Sequence, residues 1–391
     1  MLETARKPIT VKGKYNDTLV YAKALETVCE NKIRQYLDHP DFSDTNVRVM
    51  PDVHISNSTV VGWTSTYASL IIPSIIGYDI GCGVCAFNLG KGKLAFDKLD
   101  KFIRQMIPSG QDVRLDMHDD IEEVNAIASR AIAQFASLGH LMDEIARLSA
   151  KQGHSPERAF FSLGTLGGGN HFIEIDQDES QNRWLLIHSG SRIFGARIAE
   201  FHTAVALRET DTSSTIKYLS GDCAEDYLKD LEIAQYYAKL NRAIMAKTIV
   251  EGFFKLEFAG DEYWDCMHNF VDTENSVIRK GAISAKKDEK IIIPFSMAEG
   301  AALGRGKGNA EWNYSAPHGS GRKKSRTDAK GLSLDEYRKE MKGVWSSVVG
   351  KDTLEESPMA YKKPKDVLDY IADMVEVEKR LKPVYNFKAA E

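Results

Sequence analysis

The sequence predicts an α+β fold in which helices and strands interweave within a single domain over residues 1–391. The chain has 391 residues, of which 43% are hydrophobic and 27% are charged, and this composition is typical of folded globular proteins. The polar loops that carry candidate functional residues are scattered from residue 52 to residue 388, and no Pro/Ser-rich linker or repeat divides the chain. A site assembled from such distant segments favours one domain over two.

The N-terminal quarter is predicted to begin with a helix and to continue as strands. Apolar residues recur at helical spacing over residues 16–36, which predicts a helix there. Short β-rich runs follow over residues 47–89. The uncharged stretch 55–78 is rich in Ser, Thr and Asn and is broken by glycine and proline, so it is interpreted as two buried strands, not as a membrane span. Residues 77–85 are predicted to form a tight loop after a strand.

The rest of the chain alternates helical and β-rich segments. Residues 119–152 predict a long helix or a helical pair, with Asp119 and Asp120 in its first turns, and residues 160–198 predict two strands that end in polar loops. Asp222 followed by Glu225 is an N-capping pattern for the longest helix, which continues to residue 256. Strand and loop pieces are predicted over residues 265–297, a helix starting at Ser333 and a last helix over residues 365–381.

Charge and cysteine content limit the class of protein. Lys and Arg number 51 against 56 Asp and Glu, for a net charge of −5, so the chain as a whole does not attract nucleic acid and any polyanion site is local. Five cysteines spread through the chain favour a reducing compartment over a disulfide framework. The N-terminus has no apolar segment of the kind found in signal peptides. A cytoplasmic protein without a membrane anchor is the expectation.

Histidines in polar loops are the main chemical signal. His171, His188, His268 and His318 follow β-like runs or lie in glycine-rich segments. Each histidine taken alone is also explained by packing or proton exchange. The donor set as a whole offers enough ligands for two metal ions that share a bridging thiolate. Its members are Asp79, Cys82, His171, His188 and His268.

Two other patterns match known cofactor motifs only in part. Cys82 and Cys85 have the spacing of a redox pair or of half a zinc site. No second such pair is present, which favours Cys85 as a small buried residue. The glycine run at 164–169 is followed neither by Gly-Lys-Ser/Thr, as in a phosphate-binding loop, nor by the acidic residue of a dinucleotide fold. It is interpreted as a flexible turn.

The segment 304–326 is strongly basic, with six basic residues against Glu311 alone, and contains His318. Glycine and arginine together are suited to phosphate binding, although a run of charge also occurs in solvated loops. An imidazole in this setting predicts a nucleophile toward a phosphoryl or nucleotidyl group. The six are Arg305, Lys307, Arg322, Lys323, Lys324 and Arg326.

Ordered motifs along the chain resemble those of the RtcB-type RNA ligases. They include Met-Pro-Asp-Val-His at 50–54, Asp-Ile-Gly-Cys-Gly at 79–83, Gly-Asn-His-Phe-Ile-Glu at 169–174, His-Ser-Gly-Ser-Arg at 188–192, His-Gly-Ser-Gly-Arg at 318–322 and Pro-Met-Ala-Tyr-Lys at 358–362. The resemblance implies the RtcB-type fold with a central metal-containing cleft. It also implies an enzyme that uses GTP and manganese to join an RNA 3′-phosphate or 2′,3′-cyclic phosphate to a 5′-hydroxyl.

The resemblance also assigns roles to individual residues. His318 would become guanylylated, and Asp52 would act beside the metals. Two Mn²⁺ would bind the five ligands given above, with Cys82 as the bridge, although zinc would compete for a thiolate. The nucleotide would contact Asn170, Glu174, Ser296, Met297, Gly319 and Lys388.

Departures from the family's pattern leave alternatives open. Phe295 stands where glycine is usual, the glycine-rich phrase after His54 is replaced, and the tail after Lys388 differs. The alternatives are an enzyme that guanylylates RNA 3′-ends or opens cyclic phosphates without sealing, and a catalytically silent RNA-binding paralogue. An archease-like activator is a further candidate partner. Which RNA is the substrate is not encoded in these motifs.

Overall fold

The computed structural model describes residues 7–67, 69–116, 121–128, 137–258, 260 and 262–389. The strands are β1 Ile9–Lys12, β2 Asp17–Val20, β3 Val47–Ile55, β4 Val60–Thr66, β5 Gly83–Gly90, β6 Phe172–Gln177, β7 Arg183–Ser189, β8 Tyr263–Met267, β9 Asn269–Asp272, β10 Val277–Lys280, β11 Ala282–Ser284, β12 Lys290–Pro294, β13 Ala301–Gly306, β14 Ser315–Pro317, β15 Val375–Arg380 and β16 Lys382–Phe387. The helices are α1 Thr27–Leu37, α2 Pro73–Ile76, α3 Phe96–Met106, α4 Ile121–Ala128, α5 Leu138–Lys151, α6 Glu157–Phe161, α7 Arg192–Glu209, α8 Gly221–Gly252, α9 Arg326–Ala329, α10 Leu334–Glu340 and α11 Pro364–Leu368.

The sheets combine strands from distant parts of the chain. One six-stranded sheet has the order β1-β2-β3-β4-β10-β9, and a five-stranded sheet has the order β16-β6-β7-β5-β8. A three-stranded sheet, β12-β13-β15, and the pair β11-β14 complete the strands of the described residues. Because β16 pairs with β6 and β10 pairs with β4, the N- and C-terminal halves are interwoven. The predicted mixed α/β fold class is confirmed.

The five-stranded sheet separates two hydrophobic cores. In β5, Cys85 and Phe87 pack into the larger core, while Val84 and Ala86 pack into the second core. This alternation follows from the two-residue period of a strand. Ile187 of β7 belongs to the larger core and Leu186 to the second. His188 lies two residues after Leu186 on β7, so its side chain is on the same face of the sheet as Leu186, toward the second core.

Helix α8 covers the face of the five-stranded sheet that belongs to the larger core. It has 32 residues and is buried on most of its circumference, as expected for a helix surrounded by other elements. It packs against β5, β7, α4 and α7. Its buried polar residues Asn241 and Arg242 are fully enclosed and face the loops that lead to the functional residues.

Two sequence predictions in the N-terminal region are wrong in part. Residues 16–36 are not one helix, because β2 pairs in parallel with β3 and only Thr27–Leu37 is helical. The stretch 55–78 holds one strand, β4, followed by the short helix α2, which starts at Pro73 as helices often do. The loop at 77–82 consequently follows a helix and leads into β5. In both cases pairing with distant strands decides the structure.

Later segments give mixed outcomes. The long segment 119–152 contains α4 and α5, while Asp119, Asp120 and residues 129–136 lie outside the described part. The longest helix is α8, as expected, but Ser220 occupies the N-cap position and Asp222 lies in the first turn. Ser333 does cap α10, and its Oγ accepts from the Glu336 amide.

The predicted last helix is wrong beyond Leu368. Helix α11 ends at that residue, and Val375–Arg380 forms a strand paired with β13. Valine alternates with glutamate at the start of this segment, a period typical of a strand. The β-rich predictions over residues 160–198 and 265–297 are confirmed by β6, β7 and β8 to β12, although the glycine run 164–169 precedes β6.

Candidate active site

Strand register brings the predicted metal ligands together at one end of the five-stranded sheet. Gly83, next to Cys82, pairs with Ser189, and Val84 pairs with His188. On the other side of β5, Gly83 pairs with Met267, which precedes His268. Neighbouring strands thus place a thiol and two imidazoles side by side. His171 immediately precedes β6, whose Phe172 pairs with His188.

The five predicted ligands form two overlapping groups that share Cys82. In one group, His171 Nε2 lies 3.6 Å from Cys82 Sγ and 3.1 Å from Asp79 Oδ2. In the other, His188 Nε2 lies 3.1 Å from Cys82 Sγ and 3.0 Å from His268 Nε2. Ligand atoms of Cys82, His171 and His188 all lie within 4.8 Å of one another. We call these five residues the metal-ligand cluster.

Backbone carbonyls fix the tautomers of two histidines. His171 Nδ1 lies 2.9 Å from the Leu166 carbonyl oxygen, and His188 Nδ1 lies 3.1 Å from that of Asn170. A carbonyl oxygen only accepts, so each Nδ1 carries a proton, and on His188 the Nε2 nitrogen keeps a lone pair for a metal. Burial also lowers the pKa of His188 well below its usual value. The His188 ring is therefore held as a neutral donor, the form that ligates a metal.

Asp79 and Cys82 respond to the cluster in opposite ways. Burial tends to raise the pKa of Asp79, but neighbouring His171 outweighs it and holds that pKa below its ordinary value. Burial and the Asp79 carboxylate raise the pKa of Cys82 well above that of a free thiol. A divalent cation would reverse the second effect, because metal binding displaces the thiol proton. The donor set fits a metal.

Arg242, which sequence reasoning missed, holds the backbone on both sides of the cluster. It donates from Nη1 to the Gly81 carbonyl at 2.8 Å and to the Ser189 carbonyl at 2.6 Å. Its other nitrogens form a bidentate pair with Asp265, at 2.5 and 2.7 Å. The arginine thereby links the residues that precede Cys82 and follow His188. Gly190 is required nearby, since a Cβ there would lie 1.9 Å from Asp79 Oδ1.

His318 lies beside the cluster and is oriented by Asp52. His318 Nδ1 lies 2.5 Å from Asp52 Oδ2, and the same oxygen accepts from the His318 amide at 3.2 Å. Asp52 is completely buried, while the His318 side chain is 17% exposed. The His318 ring stacks on His268, with ring centroids 4.6 Å apart. Because Asp52 engages Nδ1, Nε2 is the ring nitrogen left to react.

A cavity of about 760 Å³ opens beside His318, a volume in the range of small-ligand sites. We call it the nucleotide cavity. Its lining includes the six residues that the resemblance assigns to nucleotide binding, which are Asn170, Glu174, Ser296, Met297, Gly319 and Lys388. Within the described chain, Ser296 Oγ, Ser320 Oγ and Asn386 Oδ1 are buried there without a hydrogen-bond partner. Unpaired polar atoms in a cavity are the signature of a polar ligand site.

Glu356 is the second residue that the sequence did not reveal. It accepts from Lys388 Nζ at 3.2 Å, from Arg322 at 3.0 Å and from the Tyr361 hydroxyl at 2.5 Å. Lys388 also donates to the Asn170 carbonyl at 3.2 Å. The basic groups of the cavity are thus gathered around one buried carboxylate. No glycine, histidine or spacing pattern marks Glu356 in the sequence.

Only part of the basic segment belongs to this cavity. Arg322, Lys323, Lys324 and Arg326 line it. Arg305 instead pairs with Glu378 at 2.8 Å, and Lys307 donates to the Ala372 carbonyl at 2.5 Å. The prediction that the basic residues of segment 304–326 all serve one phosphate site is therefore wrong for Arg305 and Lys307. Strand β13 pairs with β15 and places these two residues away from the cavity.

Strand β6 carries two buried acids, of which Glu174 lines the cavity. Burial raises the pKa of Glu174 to about 7, against the opposing effects of its hydrogen bonds and of Lys388. Asn386 donates to Glu174 Oε2 at 2.5 Å. Asp176 lies two residues further along the strand, and burial together with Glu174 raises its pKa well above the usual range. Glu174 is thus poised between its two protonation states near neutral pH.

Cys85, the alternative redox partner of Cys82, packs in the larger core, and all five cysteines are free. Among the helices that can be described, none is both long and apolar enough to span a bilayer.

Comparisons with known proteins agree with the motifs. The family model "tRNA-splicing ligase RtcB" matches residues 36–389. The chain is 32% identical over 375 residues to the RNA-splicing ligase RtcB of Escherichia coli K12, covering 88% of this chain and 90% of that protein. It is 27% identical over 397 residues to the tRNA-splicing ligase RtcB of Nanoarchaeum equitans, covering 82% and 83%. The chain therefore belongs to the RtcB family.

Proposed function

We propose that the chain is a GTP- and manganese-dependent RNA ligase that joins a 3′-phosphate or 2′,3′-cyclic phosphate end to a 5′-hydroxyl end. One observation carries the proposal. His318 is held through Nδ1 by the buried Asp52, at 2.5 Å, while its ring stacks on His268 of the metal-ligand cluster. The nucleophilic imidazole therefore lines a nucleotide-sized cavity together with the metal ligand His188, and its orienting carboxylate is buried directly behind it.

The two groups of the cluster would hold two Mn²⁺ with Cys82 as the shared ligand. Asp79 and His171 complete one group, and His188 and His268 complete the other. Bound divalent ions would neutralise phosphate charge beside His318. The convergence of neutral nitrogens on one thiol supports this assignment, since such donors suit a transition metal better than an alkaline-earth ion.

The nucleotide cavity would bind GTP. Arg322 and Lys388 offer positive charge to phosphate groups. Asn386 and Glu174 lie together on adjacent strands, at 2.5 Å, and provide both donors and acceptors for a base. Ser296, Met297 and Gly319 form the wall between these two ends. The unpaired hydroxyl of Ser296 supports a polar ligand in this position.

The reaction would begin at His318. Its Nε2 lone pair attacks the α-phosphorus of GTP, a nitrogen–phosphorus bond forms, and pyrophosphate leaves. The ring becomes cationic in this step, and the buried Asp52 carboxylate beside Nδ1 stabilises that charge. Asp52 thus orients the nucleophile and compensates its charge, which is why both residues are assigned to catalysis.

The guanylyl group would then pass to RNA. An oxygen of the RNA 3′-phosphate attacks the guanylyl phosphorus, and the bond to His318 breaks, which regenerates the imidazole. The 5′-hydroxyl next attacks the RNA phosphorus and gives up its proton to water, a phosphodiester forms, and GMP leaves. A cyclic phosphate must first be opened by water at the 2′-oxygen bond. Five free cysteines support a reducing compartment, and we place the reaction in the cytoplasm.

Ligation of two synthetic RNAs tests the function. One oligoribonucleotide carries a 3′-phosphate, the other a 5′-hydroxyl, and the product is separated on a denaturing gel after incubation with GTP and Mn²⁺. We expect joining by the unmodified protein and by His140→Ala, an exposed histidine on α5. Joining is expected to fall at least about 1000-fold in His318→Ala. Accumulation of a guanylylated 3′-end without joining would contradict the sealing step.

A further inference from the structure

A second cavity of about 600 Å³ adjoins the nucleotide cavity. It lies between α1, the turn at 56–58, α2, the following loop and the α7 region. Asn57 lines both cavities. We call this second cavity the lysine groove.

The lysine groove is positively charged, in contrast to the chain's net charge of −5. Among the described residues that line it, Lys32, Lys217 and Lys280 are basic and none is acidic. Lys217 donates to the Asp211 carbonyl at 2.9 Å, and Lys280 donates to the Ile76 carbonyl at 2.7 Å. These carbonyl contacts hold the two ammonium groups, and the acidic neighbours Asp211 and Asp79, which do not line the groove, offset part of their charge. The remaining polar lining is uncharged and includes Ser56, Asn57, Ser58, Ser74, Thr203 and Thr215.

An aromatic side chain stands in this basic setting. Tyr78 lines the groove and is 58% exposed, although it directly precedes the metal ligand Asp79. Leu207 of α7 lines the same groove and is 55% exposed. An exposed aromatic ring beside lysines is the combination that binds single-stranded nucleic acid, since bases stack on the ring while cations follow the backbone.

The groove reaches His318 through one strand. Lys280 lines the groove at the end of β10, and the next residue, Gly281, lies against the catalytic ring. A Cβ at Gly281 would be 3.3 Å from His318 Cε1. The backbone at Gly281 therefore links a lining residue of the lysine groove to the His318 ring.

We propose that the lysine groove binds the RNA strand that carries the 5′-hydroxyl and directs that end toward the metal-ligand cluster. The proposal rests on the proposed ligase function. In an in-line displacement the attacking oxygen lies opposite the leaving oxygen. The leaving group of the sealing step is GMP, which occupies the nucleotide cavity. The attacking strand therefore does not enter through the nucleotide cavity, and the lysine groove offers it a basic surface that adjoins that cavity and includes Tyr78, next to the metal ligand Asp79.

The test measures RNA binding separately from nucleotide transfer. The probes are two fluorescent oligoribonucleotides of the same sequence, one with a 5′-hydroxyl and a blocked 3′-end, the other with a blocked 5′-end and a 3′-phosphate. Their Kd values are determined by fluorescence anisotropy at fixed salt in the presence of Mn²⁺. Labelling of each protein by GTP is recorded in parallel, together with its thermal melting temperature.

Tyr78→Ala and the double variant Lys32→Glu/Lys217→Glu are expected to weaken binding of the 5′-hydroxyl probe about tenfold or more, as expected for one lost stacking contact or for reversed backbone charges. Tyr78→Phe keeps the ring and is expected to bind as the unmodified protein does. Lys91→Glu/Lys93→Glu changes the net charge equally at exposed residues outside the groove and is the matched control. The 3′-phosphate probe is expected to lose less affinity than the 5′-hydroxyl probe.

A 5′-hydroxyl Kd within twofold of the unmodified protein in both groove variants would overturn the proposal. So would an equal loss for both probes, or an equal loss in the charge control. An unmodified protein that fails to label with GTP, yet binds the 5′-hydroxyl probe through these residues, would overturn the ligase function while supporting the groove as an RNA site. The two hypotheses therefore fail separately.

Discussion

The metal-ligand cluster and the nucleotide cavity share one face of the five-stranded sheet, but their polar groups are held in different ways. In the cluster, backbone carbonyls accept hydrogen bonds from Nδ1 of His171 and His188, so the Nε2 atoms of both rings lie toward Cys82. In the cavity, the basic side chains Arg322 and Lys388 pair with Glu356. The cluster presents ligand atoms to a cation. In the cavity, Glu356 compensates the positive charge of Arg322 and Lys388, and a bound anion would compete with Glu356 for these two side chains.

The largest effect is expected at the shared ligand. Cys82→Ser replaces the thiolate that both groups of the cluster have in common, so the affinity for Mn²⁺ is expected to fall more than about 100-fold, beyond the loss typical of a residue that only supports a ligand. Metal content after dialysis against Mn²⁺ measures this, with Cys223→Ser as the matched control. Two ions retained per chain in Cys82→Ser would contradict the bridging role.

The second variant, Arg242→Met, separates the role of Arg242 in stability from its role in positioning the metal ligands. Arg242→Met leaves Asp265 buried without its partner, and we expect a loss of about 3–5 kcal/mol of unfolding free energy and a 10- to 100-fold loss of Mn²⁺ affinity. The double variant Arg242→Met/Asp265→Leu removes both charges, and its stability is expected to recover while its metal affinity stays low. Recovery of both would show that the arginine does not position the cluster through Gly81 and Ser189.

Glu356→Gln tests the charge balance of the cavity. Burial opposes ionisation of Glu356, but Lys388, Arg326 and Arg322 hold its pKa below the ordinary value. Its contribution to stability is therefore complete above about pH 4.5 and is lost as the pH falls through the lower folded pKa. We expect Glu356→Gln to cost about 3 kcal/mol at pH 7, and this difference in urea unfolding to shrink below pH 4.5. A metal content unchanged from the unmodified protein is expected, since the cluster does not use Glu356.

A smaller effect is expected from His54, which also lines the cavity. Burial lowers the pKa of His54 to about 4, below its value near 6.5 in the unfolded chain. The unfolded state then binds the proton more tightly, so stability falls as the pH drops from about 6.5 to about 4, by up to roughly 3 kcal/mol. Urea unfolding of His54→Gln is expected to show a weaker pH dependence in this window. An identical pH dependence of both proteins below about pH 6.5 would contradict a His54 that is held neutral in the folded state.

The ligands of the cluster could be predicted from the sequence, whereas the charged residues that support them and the cavity could not. Cys82, His188 and His318 were visible in the sequence because ligand-type residues stand beside glycines at strand ends. These residues converge because of the register between β5 and β7. That register cannot be derived from either strand alone. Arg242 lies in the middle of a long helix, and Glu356 is the last residue of a short 3-10 helix, Lys351–Glu356. Their roles arise only from tertiary packing, and no local pattern marks them.

Errors in the fold have the same origin. Residues 17–20 and 375–380 were assigned to helices, yet both form strands because distant strands are available to pair with them. Local periodicity describes a segment by itself, whereas strand pairing depends on the whole chain. The lysine groove is a further case, since its lysines come from three segments that the fold brings together.

Covalent labelling by GTP tests the central claim most directly. The protein and His318→Ala are each incubated with α-labelled GTP and Mn²⁺, denatured, and assayed for a protein-bound label and its stability in acid. The account predicts an acid-labile label on the unmodified protein, as expected of a nitrogen–phosphorus bond, and none on His318→Ala. A label of equal intensity on both proteins would contradict it, because the nucleotide would then be attached elsewhere than at His318.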